Sequence, residues 1–105
     1  MACEFRHPSW FVEATYEALC ACNAALCVAE TEERVTPDVT TASFAYYRYR
    51  KAEYSPDERN AMICTLEAHR RQGRDVYAYF KHEETPQGAL YAVEILKEIG
   101  GGAQL

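Results

Sequence analysis

Apolar positions switch between two periods along the chain, and each switch marks a change of element. Residues 2–6 (Ala-Cys-Glu-Phe-Arg) read as a short strand, and His7-Pro8-Ser9 turns the chain. Ser9 suits a helix N-cap, with Glu13 and Glu17 in the turns that follow. Phe11, Val12, Tyr16, Leu19 and Cys22 then form one helical stripe that ends near Asn23. Residues 25–29 (Ala-Leu-Cys-Val-Ala) are an unbroken apolar run, as in a strand buried on both faces. Residues 30–42 are polar and contain Pro37, which predicts a loop with one helical turn.

The second half repeats the alternation. Residues 43–50 are aromatic and strand-like, and a period of two puts Phe44, Tyr46, Arg48 and Arg50 on one face. Ser55-Pro56-Asp57-Glu58 is a helix start with a cap, a proline at the first helical position and a capping-box acid. Met62, Ile63 and Leu66 supply that helix's apolar stripe, and Gly73 stops it. Residues 75–80 form another strand. Thr85-Pro86 opens the last helix, with Ala89, Ala92, Val93, Leu96 and Ile99 expected on one face. Gly100-Gly101-Gly102 ends it, and residues 101–105 read as a flexible tail. The order β-α-β-loop-β-α-β-α predicts the α/β class with a parallel sheet. No linker divides residues 1–100.

Composition adds exclusions. The 105 residues are 49% hydrophobic and 26% charged, an ordinary globular balance. No apolar run approaches the ~20 residues of a membrane helix, and no export signal follows Met1, so a soluble cytoplasmic protein is expected. The net charge of −5 argues against nucleic acid, because a polyanion partner calls for clustered basic residues. The five cysteines fit free thiols in a reducing compartment. Cys20 and Cys22 on a helix lie about 200° apart around its axis, so no metal site is assigned. G-x-G-x-x-G, Walker, C-x-x-C, H-E-x-x-H and G-x-S-x-G motifs are all missing, which leaves any cofactor unassigned.

Four segments in order resemble the DUF72 (YecE-like) family. Cys3-Glu-Phe-Arg-His-Pro-Ser-Trp10 is similar to its Glu-Phe-Arg-His-Pro-Ser-Trp signature. Phe44-Ala-Tyr-Tyr-Arg-Tyr-Arg50, after Thr41-Ala42, resembles its strand ending in Arg-x-His-Gly. Tyr54-Ser55 matches the pair that opens its next helix. Val76-Tyr-Ala-Tyr-Phe80, with Gly88, Ala89 and Ala92, resembles its last strand and helix. The resemblance implies parallel β/α units forming the C-terminal half, strands 5–8, of a TIM-type barrel, where a whole barrel takes about 250 residues. A half-barrel leaves open sheet edges, so the expected partners are a complementary half-barrel or a second copy in a homo-oligomer, and the alternative to an enzyme fragment is a non-catalytic or truncated half-barrel that functions only by such association. The chain departs from the family at Arg50 and Lys51, where His-Gly is usual, at Lys81 and His82, where Asn-Asn is usual, and near Glu30, where Asp is frequent. The family brings no established reaction with it.

Barrel sites sit at the C-terminal ends of strands. That rule selects Glu4, Arg6 and His7, then Glu30, then Arg48 and Arg50, then Lys81 and His82. Two readings of this cluster stand. In the first, Arg6, Arg48, Arg50, Lys81 and His82 bind a small anionic substrate such as a phosphate or carboxylate. Glu4 or Glu30 would then serve as base, and His7 as acid-base group. In the second, the same charges form a buried ion-pair layer. His69 is expected to complement the dipole of its helix. Trp10 and Phe11 are expected in the core, and the tyrosines of residues 46–49 and 77–79 in strand packing.

Overall fold

The computed structural model describes residues 1–51, 53–80 and 87–99. Four parallel strands stand in sequence order: β1 (Ala2–Cys3), β2 (Ala25–Glu30), β3 (Phe44–Tyr49) and β4 (Asp75–Phe80). Three helices accompany them: α1 (Glu13–Ala21), α2 (Pro56–Arg71) and α3 (Gln87–Ile99). The class is α/β with a parallel sheet, as the alternation predicts. No helix among the described residues is long and apolar enough to cross a membrane.

The strand faces decide where the core lies. Alternation along β3 buries Ala45, Tyr47 and Tyr49, and along β4 it buries Val76, Ala78 and Phe80. These six meet Val28, Tyr54, Met62, Leu66, Tyr91 and Ile95 in one cluster under α2 and α3. A smaller cluster sets Leu19 of α1 against Leu26, with Cys3 and Phe5 packed on it. All three helices therefore cover one face of the sheet, the outer face. The inner face carries Glu4, Cys27, Phe44, Tyr46, Arg48, Tyr77 and Tyr79. Tyr46 lies 5.4 Å from Tyr79 between ring centres, and Phe44 meets Tyr77 edge-on at 6.0 Å.

The start of α2 follows the sequence closely. The Ser55 hydroxyl accepts from the Glu58 N–H at 3.1 Å, and Glu58 Oε1 accepts from the Ser55 N–H at 3.0 Å. Lys51 also bonds the Glu58 carboxylate. The Lys51 bond first, and then the Ser55 amide, hold the Glu58 carboxyl down at about 2. At the far end Gly73 takes φ +78°, a conformation that glycine adopts without steric cost.

Elsewhere the boundaries move. β1 stops at Cys3 rather than residue 6, because only Ala2 and Cys3 pair with β2. Beyond them the Arg6 carbonyl is taken by the Arg34 guanidinium instead of a strand partner. Ser9 does not cap α1. It sits in a 3-10 turn, Pro8–Trp10, which His7 caps by accepting from the Ser9 N–H at 3.2 Å. α1 then starts from Val12 without a side-chain cap. Val12 and Cys22 are exposed, so the buried part of its stripe is narrower than periodicity suggested. Trp10 also leaves the core: it is exposed and stacks on Phe5 at 5.1 Å.

Residues 31–43 hold no helical turn. A bridge between Glu30 and Val35 shapes that segment instead. Among the described side chains of α3, Tyr91 and Ile95, one turn apart, are buried and Ala92 packs against the same cluster, while Ala89 and Val93 face solvent; the expected Leu96 and Ile99 lie outside the described side chains. Tyr91 is drawn inward because its hydroxyl accepts from the Tyr54 N–H at 3.1 Å. The Thr85-Pro86 start and the glycine stop of α3 lie outside the described residues, as does the tail.

Candidate functional site

The C-terminal ends of β1, β2 and β3 open together on the inner face. Glu4 and Arg6 follow β1 two residues apart and point the same way. The Glu4 carboxylate accepts from the Arg48 guanidinium of β3, and its other oxygen lies 3.6 Å from Arg6 Nε. One carboxylate thus lies between two guanidinium groups. The bond to Glu4 is the main cause that raises the Arg48 pKa, with burial acting against it.

Behind this pair lies Cys27, with its sulfur 3.8 Å from Glu4 Oε1. Burial, and then the Glu4 charge, push the Cys27 thiol up to about 12. It stays protonated at neutral pH, and a thiol is a weak nucleophile. Cys27 is therefore a packing group next to the ion pair.

A cavity of about 380 Å³ opens in front of Glu4. Phe5, Arg6, Arg34 and Arg50 line it, with Glu32 and Glu33 on the crossover side. The Arg50 backbone N–H donates to the Glu30 carbonyl at 2.8 Å, which fixes the chain as it leaves β3. The Arg50 side chain makes no ion pair among the described residues. A half-buried guanidinium without a carboxylate is a strong donor of charge-assisted hydrogen bonds to an incoming anion.

The structure thus brings Glu4, Arg6, Arg48 and Arg50 to one end of the inner face. It separates the others. Glu30 points to the outer face, where its carboxylate lies 3.5 Å from Lys51 Nζ. The His7 ring is exposed and engaged with its own turn, 2.8 Å from the Ser9 hydroxyl. Lys81 and His82 lie outside the described residues. Among the described residues no group of three or more His, Cys, Asp or Glu side chains could hold a metal ion.

Two residues escaped the sequence reading. Arg34 stands in a polar loop and reaches the cavity only through its bond to the Arg6 carbonyl, which no local pattern announces. His69 was expected only to complement the dipole of its helix. It is 7% exposed and sits at the centre of a hydrogen-bonded chain on the outer face. Its Nε2 lies 2.7 Å from the Tyr47 hydroxyl, and its Nδ1 accepts from Arg74 Nε at 2.9 Å. The helix-end position was right, and burial overrides the dipole role. Its burial could have been suspected from spacing, since His69 falls three residues after Leu66 and seven after Met62 on the same stripe.

A parallel α/β domain with a cavity lined by both arginine and glutamate at its strand ends is the class that this geometry defines. The profile of the family described as a protein of unknown function, DUF72, matches residues 1–104, and the chain belongs to that family. No curated protein and no solved structure gives a significant match.

Proposed function

We propose that this DUF72 domain binds a small carboxylate or phosphate at the C-terminal ends of β1–β3. The observation that carries the reading is the convergence of Arg6, Arg34 and Arg50 on one cavity of about 380 Å³. Arg50 would make the primary contact, since its charge is uncommitted among the described residues. Arg6 would add a second fork. Glu4, Glu32 and Glu33 on the same cavity would repel an anion; Arg6 and Arg48 offset Glu4, and Arg34 and Arg50 would have to outweigh the other two. If the domain is catalytic, Glu4 is the group able to accept a proton beside the bound ligand.

Titration calorimetry with inorganic phosphate and with citrate tests this. Binding is expected for at least one of them, weakened about tenfold or more in Arg50→Ala, because a hydrogen bond to a charged group contributes about 1.5–3 kcal/mol. Salt should weaken it as well. Unchanged affinity in both Arg50→Ala and Arg6→Ala, or no binding of either anion, would remove the proposal.

A second reading has its own observation. The inner face has no covering layer among the described residues, Tyr79 on it is 44% exposed, and β4 is an edge strand. A row of rings beside open backbone donors and acceptors favours association. In this reading the four strands are strands 5–8 of a TIM-type barrel, closed by a complementary half-barrel or a second copy. Sedimentation at micromolar concentration should then give a mass above the monomer, and Tyr79→Asp should restore the monomer. A folded wild-type chain that sediments as a monomer at that concentration would count against closure by a second copy.

A further inference from the structure

Parallel strands are usually joined by a crossover that carries a helix over the sheet. Residues 31–43 join β2 to β3 without one. The segment is pinned at two points instead. The Thr41 hydroxyl donates to the Ala24 carbonyl at 2.7 Å and accepts from the Leu26 N–H at 3.0 Å. Asp38 accepts from the Tyr47 hydroxyl at 3.0 Å. A loop is thinner than a helix, so the outer face between this segment and α2 is incompletely filled. What remains is a cleft of about 510 Å³.

The chemistry of its walls is specific. Val28, Pro37 and Met62 give it an apolar floor. Three carboxylates, Glu30, Asp38 and Glu58, stand around it. Lys51 at the rim bonds both Glu30 and Glu58, so it offsets part of that charge. Asp38 has a different partner: the neutral Tyr47 phenol. Tyr49 also lines the cleft. It is 5% exposed, and its hydroxyl has no hydrogen-bond partner among the described residues. The Tyr49 oxygen is not itself a buried orphan; it meets the solvent of the cleft and is open to a donor there. Tyr49 stacks on Tyr47 at 5.8 Å, with the planes only 9° apart, so the two hydroxyls project side by side.

We propose that this cleft binds an organic monocation, a protonated amine carrying an apolar body. The apolar part would lie on Val28, Pro37 and Met62. The ammonium would face Asp38 and donate to the Tyr49 hydroxyl oxygen, which has a lone pair to offer. A neutral ligand would leave the Asp38 charge uncompensated, and an anion would meet three carboxylates. Charge complementarity thus selects the cation. The cleft opens on the face opposite the arginine-lined cavity, so the two sites would take ligands of opposite sign.

Benzylamine is a suitable probe, with benzyl alcohol as its neutral counterpart and benzoate as its anionic one. Amide and methyl NMR shifts report where each binds to the intact chain. Benzylamine is expected to shift Met62, Ala61 and Tyr49 in a saturable way, and the other two are not. Asp38→Asn should weaken binding about tenfold, the scale of a lost charge-assisted contact. Ala61→Phe adds a ring at an exposed position of α2 that lines the cleft, so it should block binding while the fold persists. Tyr49→Phe checks the phenol without changing the ring packing. Equal binding of benzyl alcohol would reduce the cleft to an apolar groove and overturn the proposal. So would unchanged affinity in Ala61→Phe, or the lack of saturable shifts at millimolar benzylamine.

Discussion

Leu66→Ala should remove a large part of this domain's stability, about 2–5 kcal/mol. Leu66 is 1% exposed at the middle of α2, and it belongs to the cluster that joins α2 to β3, β4 and α3. Truncation would leave a void that the neighbouring rings cannot fill. Tyr47, Tyr49 and Tyr54 are already held by stacking or by hydrogen bonds. Small domains have total stabilities at the low end of about 5–15 kcal/mol, so the loss should move the urea midpoint down by about 2 M. Leu90→Ala is the control. Leu90 is 57% exposed on α3, and a surface change of that kind should stay within about 0.5 kcal/mol. Equal shifts for the two variants would mean that α2 does not pack on the sheet as described. Because α2 and the crossover enclose the outer cleft together, Leu66→Ala should also weaken benzylamine binding in proportion to the unfolded fraction.

The elements that local chemistry specifies alone were legible in the sequence. The capping box at Ser55, the glycine stop at Gly73 and the alternation of residues 44–49 need no distant contact to be recognised, and each appears where it was expected. The elements that depend on distant contacts shifted. β1 ends early, with only Ala2 and Cys3 paired to β2, and beyond it Arg34, far along the chain, bonds the Arg6 carbonyl. The inward side of α3 includes the expected Ala92 but also Tyr91, which bonds the distant Tyr54 N–H, and it excludes Ala89 and Val93. The site divides the same way. Spacing of two residues placed Glu4 with Arg6 correctly. The same parity separates Glu30 from them: β2 shows Cys27 and Ala29 to the inner face, and so Glu30 to the outer one. A strand end was visible in the sequence, while its facing depended on register. Asp38, Tyr47 and His69 meet across thirty residues of chain, and no motif spans that distance.

That buried chain also makes stability depend on pH. A guanidinium only donates, so Arg74 Nε–H requires an unprotonated Nδ1 on His69. The proton of the neutral ring then sits on Nε2 and is donated to the Tyr47 oxygen, whose own proton goes to Asp38. Every group in this series is satisfied while His69 is neutral. A second proton on the ring would have to displace the Arg74 bond and stand beside its charge. Burial first, and then Arg74, accordingly lower the His69 pKa, with the Asp38 charge opposing them more weakly. A lowered folded-state pKa means that the unfolded chain binds the proton more readily. The contribution is therefore complete above the unfolded value of about 6.5, and is lost as pH falls from there through the folded value. Glu58 and Glu67 are held below the usual carboxylate value, so the decline that begins just below the histidine value starts before theirs. Urea unfolding of the wild type should show stability declining just below pH 6.5, and His69→Gln should flatten that decline. At neutral pH Tyr47→Phe should cost about 1–3 kcal/mol, because it strands a buried imidazole N–H and deprives Asp38 of its donor. An NMR titration gives the direct reading. A His69 ring that titrates at or above the usual histidine value would show that burial and Arg74 do not control it.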